Sequence, residues 1–173
     1  MRQPLKPHPM SHSDVVEAIE TQVSRSGERL VVRYRVRGHI AGVVLPPPAA
    51  SERTEELWRH TCFEAFASDA AGGYAEFNFA PSRQWAAYRF DGYRQGMRPL
   101  DIAAPEIAVS VTGDELELTA SFAAGEVVRL GLSAVIEEAD GRVSHWALAH
   151  PPGDPDFHHA DCFALDLAAS GRA

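Results

Sequence analysis

Apolar and polar residues alternate with a period of two along much of this chain, and that pattern limits the fold more than any other feature. Leu30, Val32, Tyr34 and Val36 alternate with Val31, Arg33, Arg35 and Arg37, as in a strand with one buried and one charged face. Upstream, Val15, Ile19 and Val23 alternate more loosely with polar residues, and Ser26-Gly27-Glu28 predicts the turn of a hairpin. A clearer hairpin joins Ile107, Val109 and Val111 through Thr112-Gly113-Asp114 to Leu116, Leu118, Ala120 and Phe122. Leu130, Leu132, Ala134 and Ile136 keep the same period, Asp140-Gly141 turns the chain into Val143–Ala149, and Phe163, Leu165 and Leu167 predict a last strand.

The middle of the chain is partly ambiguous. Glu55–Ala71 reads equally as a helix, capped by Thr54 with Leu57, Thr61 and Ala65 on one face, or as a strand carrying Trp58, His60, Cys62, Glu64 and Phe66 on one side. After Gly72-Gly73 the pattern is plain: Ala75, Phe77 and Phe79 alternate with Tyr74, Glu76 and Asn78, and Ala86, Tyr88 and Phe90 with Trp85, Ala87 and Arg89. Roughly nine short strands between turns predict an all-β sandwich or barrel. Pro46-Pro47-Pro48 reads as a stiff connection within one domain spanning 1–173, and Pro151-Pro152-Gly153-Asp154-Pro155 as a surface loop. Residues 1–12 carry three prolines and no apolar run, and are expected to be a flexible tail.

Composition narrows the function. With 45% apolar and 23% charged residues the chain has the make-up of a soluble globular domain. No run approaches the roughly 20 apolar residues of a membrane-spanning helix, and Met1–Ser13 has no secretory signal character, so a cytoplasmic protein without membrane partners is expected. A formal net charge of −8 argues against nucleic acid. The imbalance is concentrated in Pro99–Ala173, where three basic residues face thirteen acidic ones. Cys62 and Cys162 are too few for a disulfide scaffold and too far apart for a zinc motif, which predicts two buried thiols.

Three groups of residues carry candidate chemistry. Trp58, Trp85 and Trp146 lie in segments that also hold Glu64, Glu76, Asn78 and Arg89. Rings with fixed polar groups are what a sugar or another small amphipathic ligand requires, and Glu76, Asn78 and Arg89 are expected to project together from adjacent strands. His150, His158 and His159, with His145 and several aspartates nearby, form the second group. They are weak candidates for a metal or haem, because no pair has the spacing of a metal motif. The third is a small hydrolase using Glu64 or His60, with Glu64 and Glu76 as a carboxylate pair. The sequence has no Gly-x-Ser-x-Gly elbow and no glycine-rich phosphate loop.

Two stretches resemble a known family. Leu57-Trp58-Arg59-His60-Thr61-Cys62-Phe63-Glu64-Ala65-Phe66, continuing through Tyr74–Ser82 and Trp85–Tyr93, is similar to bacterial DOMON-like proteins, relatives of the family 9 carbohydrate-binding modules. Trp146–Pro151 and Pro155–Leu165 fit the same group. The resemblance implies an immunoglobulin-like or jelly-roll antiparallel β-sandwich of about nine to eleven strands, with Leu57–Ser68 as a central strand. It also implies a non-enzymatic domain for a small ligand, sugar or haem. For a sugar, Trp58 or Trp85 would stack while Glu64, Asn78 and Arg89 hold hydroxyls; for haem, Met97 with His150 or His158 would bind the iron. The expected ligand-binding set is therefore Trp58, Glu64, Glu76, Asn78, Trp85, Arg89, Trp146 and His150. No cofactor is certain, and nothing in the sequence fixes an oligomeric state.

Overall fold

The computed structural model describes residues 2–167; Met1 and residues 168–173, inside the expected 1–173 domain, lie outside them. The described residues form an all-β antiparallel sandwich, with short 3₁₀ turns and no α-helix. The strands are β1 (Arg2–Pro7), β2 (Val16–Ser26), β3 (Arg29–Gly38), β4 (Cys62–Ser68), β5 (Tyr74–Phe79), β6 (Trp85–Phe90), β7 (Arg98–Pro99), β8 (Glu106–Thr112), β9 (Glu115–Ala123), β10 (Arg129–Glu137), β11 (Val143–Ala147) and β12 (Leu165–Asp166). Eleven of them follow one hydrogen-bonded order, β7-β6-β5-β4-β10-β11-β1-β2-β3-β9-β8, while β12 adds to β10. No helix among the described residues is long and apolar enough to cross a membrane.

The curled sheet folds over on itself at β1. Arg2–Leu5 pair with β2 and Lys6–Pro7 with β11, so the segment expected to be a tail instead joins the back layer (β2, β3, β9, β8) to the front layer (β7, β6, β5, β4, β10, β11). The correction has a physical cause. Leu5 is buried, and prolines are tolerated in a strand where their missing N–H is not needed by a neighbour.

The two layers enclose one apolar core. Leu30, Val32, Tyr34 and Val36 of β3, with Leu116, Leu118, Ala120 and Phe122 of β9, meet Phe63, Ala65, Phe77, Phe79, Leu132 and Ala134 from the front. Phe122 lies 4.5 Å from Phe77 and 5.0 Å from Phe79, ring centroid to centroid. Tyr34 spans the core: its ring leans on Phe63 at 5.0 Å, and its hydroxyl donates to the backbone carbonyl of Glu64 at 2.6 Å. On the other face of the back layer, Arg29 pairs with Glu106, Arg33 with Glu117, and Arg35 with Glu115. The arginines of β3 thus lie on a mixed-charge outer face.

The layers differ in one respect. β9 alternates between buried and half-buried residues along its length, whereas β4 and β5 are buried on both faces for almost every residue. Outside the front layer, Leu57, Cys62, Phe66, Tyr74, Tyr88, Phe90, Phe157, Cys162 and Phe163 form a second apolar cluster, built partly from loops. Gly131 makes room for that covering, since a Cβ there would meet the Phe163 ring at 2.8 Å. Both cysteines are buried and unbonded.

The segment left ambiguous by its pattern resolves into two parts. Leu57–Arg59 is a 3₁₀ turn, and the strand begins only at Cys62. Trp58 and His60 therefore do not share the strand face expected of them; Glu56, at φ 59°, sets the chain into the turn before them. The predicted last strand is likewise only Leu165–Asp166.

Tyr34→Phe is expected to cost about 1–2 kcal/mol, because it deletes a fully buried hydrogen bond between the layers while sparing the ring. Chemical denaturation with an unchanged m-value would verify this, and a variant as stable as the parent would show that the bond adds nothing.

Candidate ligand-binding site

The doubly covered front layer holds polar side chains on the face away from the main core. Register fixes which ones. Glu64 of β4 lies opposite Asn78 of β5 and Ser133 of β10, and Glu76 of β5 lies opposite Phe66 and Tyr88. Because cross-strand partners share a face, Glu64, Glu76, Asn78, Ser133, Phe66 and Tyr88 all point the same way. Three loops close over them, and between loops and sheet lies a cavity of about 660 Å³ whose lining includes Glu55, Glu56, Trp58, Glu64, Phe66, Glu76, Tyr88, Phe90, Arg94, Met97, Val135, His145, Phe157 and His158. A second hollow of about 450 Å³ adjoins it and shares Arg94 and Pro155.

Polar contacts hold the floor and the roof. Ser133 Oγ donates to Glu64 Oε2 at 3.1 Å, and Asn78 Nδ2 donates to Glu76 Oε1 at 3.1 Å. Tyr74 Oη accepts from the Arg94 backbone N–H at 3.2 Å and lies 2.8 Å from His158 Nδ1. His158 Nε2 stands 3.7 Å from Glu76 Oε2. Asp156 gathers the roof by accepting from the Arg94 guanidinium at 2.8 Å, from the His158 backbone N–H at 3.1 Å and from the Tyr93 hydroxyl. Tyr88 donates to Glu55 Oε2 at 2.7 Å, which ties the loop before β4 to β6. Trp58, 50% exposed, and Met97, 58% exposed, stand at the mouth.

Burial decides the charge state of the floor. Glu64 and Glu76 are 3% and 6% exposed. Desolvation pushes both carboxyls well above the ordinary carboxylate range, and the charge of Glu76 raises Glu64 further. His158 is pushed down to about 4, first by burial and then by Arg94. It is therefore neutral at pH 7 and forms no ion pair with Glu76. Desolvation also raises both cysteine thiols, Cys162 to about 12, so neither offers a reactive thiolate.

Several expected site residues lie elsewhere. Glu64 and Glu76 line the cavity, Asn78 shares their face, and Trp58 stands at the rim. Arg89 does not join them. It lies opposite Ala75, on the inward-facing parity of β6, and its guanidinium donates to Asp69 beneath Gly73, where a Cβ would meet Nη2 at 2.4 Å. Trp85 and Trp146 face the main core. Arg53 lies over the Trp85 ring at 4.6 Å, and Trp146 Nε1 donates to Ser144 at 3.0 Å. The expectation that Glu76, Asn78 and Arg89 project together thus fails on strand parity. With Phe79 opposite Trp85, even-numbered residues of β5 share a face with even-numbered residues of β6. Following that register through the sequence would have found Tyr88; the loop residues Arg94, Phe157 and Glu55 carry no periodic signal.

The three candidate metal-binding histidines, His150, His158 and His159, do not converge. His150 Nε2 lies 2.8 Å from the Lys6 carbonyl, next to His8, and does not line the cavity. His159 Nδ1 accepts from the Asp161 backbone N–H, and the described residues contain no cluster able to hold a metal ion. Met97 and His158 do line the cavity, but they do not fit haem. The two ring nitrogens of His158 face Tyr74 and Glu76, which leaves neither directed at an iron. His60 is outside, 2.8 Å from Glu137.

The sequence matches no protein-family model and no functionally curated protein. The fold is similar to two solved structures. One is a candidate carbohydrate-binding protein from Bacteroides uniformis, with a TM-score of 0.65 and 15% identity over 94% of this chain and 84% of the other. Another is a family 9 carbohydrate-binding module from Caldicellulosiruptor kristjanssonii in complex with cellotriose, with a TM-score of 0.50 and 10% identity over 88% of this chain and 74% of that one.

Raised carboxyl pKa values make the native state resist deprotonation, so their contribution favours folding below about pH 4.5 and is lost as pH rises through the native values. Glu64→Gln removes one of the two protons. Its stability is expected to match the parent near pH 4.5 and to exceed it by about 1–3 kcal/mol at pH 8. Denaturation curves across that range provide the measurement, and parallel pH profiles would contradict the buried, protonated pair.

Proposed function

We propose that this chain is a non-enzymatic carbohydrate-binding domain whose ligand enters the cavity over the outer face of β4, β5, β6 and β10. One observation carries the reading: a cavity of about 660 Å³ walled by aromatic rings and floored by a few fixed polar groups. The apolar face of a sugar ring has Phe66, Tyr88, Phe90 and Phe157 to pack against, while its hydroxyls have Glu64, Glu76 and Arg94. Trp58 at the mouth suits stacking on a further sugar unit, and the adjoining hollow leaves room for chain extension. Similarity of fold to a cellotriose-bound module gives the reading independent support.

Of the two residues expected of a small hydrolase, Glu64 or His60, His60 lies outside the cavity on Glu137.

Calorimetry with glucose, xylose, cellotriose and longer oligosaccharides is expected to give weak binding that strengthens with chain length, with the sugars recovered uncleaved. Trp58→Ala is expected to weaken the longer ligands about three- to tenfold, consistent with about 0.5–1.5 kcal/mol for a ring contact, without lowering thermal stability. No heat from any saccharide would refute the proposal.

A further inference from the structure

We infer that the cavity selects ligands bearing a protonated amine, so that amino sugars are its preferred carbohydrates, with the ammonium seated between Glu64 and Glu76. This deepens the carbohydrate reading and rests on it.

The inference follows from which charges and donors the cavity already has. Glu64 and Glu76 are almost wholly buried, and their recorded partners are a hydroxyl and a carboxamide; neither partner carries positive charge. Asn78, on the same face and opposite Glu64, is fully buried, and its Oδ1 has no hydrogen-bond partner. The cavity floor therefore holds two carboxyls with no cationic hydrogen-bond partner, while Asn78 shares their face without lining the cavity. Arg94 is the guanidinium among the lining residues; it is hydrogen-bonded to Asp156 at 2.8 Å and acts on Glu76 only through its charge, with no hydrogen bond to either glutamate. His158 faces Glu76 but is neutral at pH 7.

An ammonium meets each requirement. It brings three donors and no acceptor, and it supplies the positive charge that buried carboxylates need. Phe66, Tyr88 and Phe90 border the seat, and aromatic faces attract cations. A neutral hydroxyl supplies one donor and no charge. Seating a cation also favours the ionised form of the two carboxyls, so binding an amine at pH 7 is accompanied by proton release to solvent, whereas binding a neutral sugar is not.

The test is calorimetry on the full chain at pH 7 with glucosamine trimer, its N-acetylated counterpart, cellotriose and the non-sugar amine spermidine, each in two buffers of different ionisation enthalpy. Glucosamine trimer is expected to bind at least about tenfold more tightly than the two neutral sugars, with proton release in its case alone among the three. Glu64→Gln and Glu76→Gln are each expected to bring the three sugars to within about threefold of one another. If either variant fails to fold, the ranking and proton release of the parent chain decide alone. Cellotriose or the N-acetylated trimer binding as tightly as the amine would overturn this inference and leave the carbohydrate reading standing. Spermidine binding with no response to any sugar would overturn the carbohydrate reading and keep the cation preference. Silence from all four ligands would overturn both.

Discussion

The burial of the front layer on both faces is the constraint on which the rest of the structure depends. An antiparallel sheet commonly packs one face on a core and leaves the other wet, and the back layer here does so, with arginines and glutamates along its outer side. The front layer is instead roofed by loops. Roofing turns Glu64, Glu76, Asn78 and Ser133 from an ordinary polar face into a desolvated floor. The raised carboxyl pKa values, the neutral His158 and the enclosed volume all follow from that covering.

The roof is held by a small number of polar ties. Asp156 bonds Arg94, Tyr93 and the backbone of His158, so the loop after β11 and the loop after β6 are fastened to each other above the floor. Tyr74 reaches up from β5 to both Arg94 and His158. Arg94 is used as a tie to Asp156, and its charge also acts on His158 and Glu76 beneath it. The chemical character of the cavity is thus set by its structural bonds: the Arg94 guanidinium is hydrogen-bonded to Asp156 and reaches Glu76 only through its charge.

Much of the architecture was legible in the sequence. The two hairpins around Gly27 and Gly113, the β10–β11 turn at Asp140-Gly141 and the alternation of β3, β5 and β6 all read correctly, because period-two alternation is a local property. Three features did not. Arg2–Pro7 lacks an apolar run, so its role as the strand joining the layers was hidden; one of its partners, β11, lies far along the chain. Trp58 belongs to a turn entered through the left-handed backbone of Glu56, a position that no glycine or proline announces. Arg89 was placed beside Glu76 when register puts it on the opposite face, a one-residue parity difference that inverts every assignment on a strand.

The sequence by itself determined that this chain is built of short β-strands between turns and that Glu76 and Asn78 share one face of a strand, because alternation and turn residues act over a few positions at a time. The tertiary structure alone decided that those side chains lie under a roof rather than in water, that Trp85, Trp146 and Arg89 serve the interior side of the sheet, and that Tyr88, Arg94, Phe157 and His158 complete the cavity. Those outcomes depend on cross-strand register and loop closure between residues distant in the chain, and the cost of removing a carboxyl from water appears only once its surroundings have assembled.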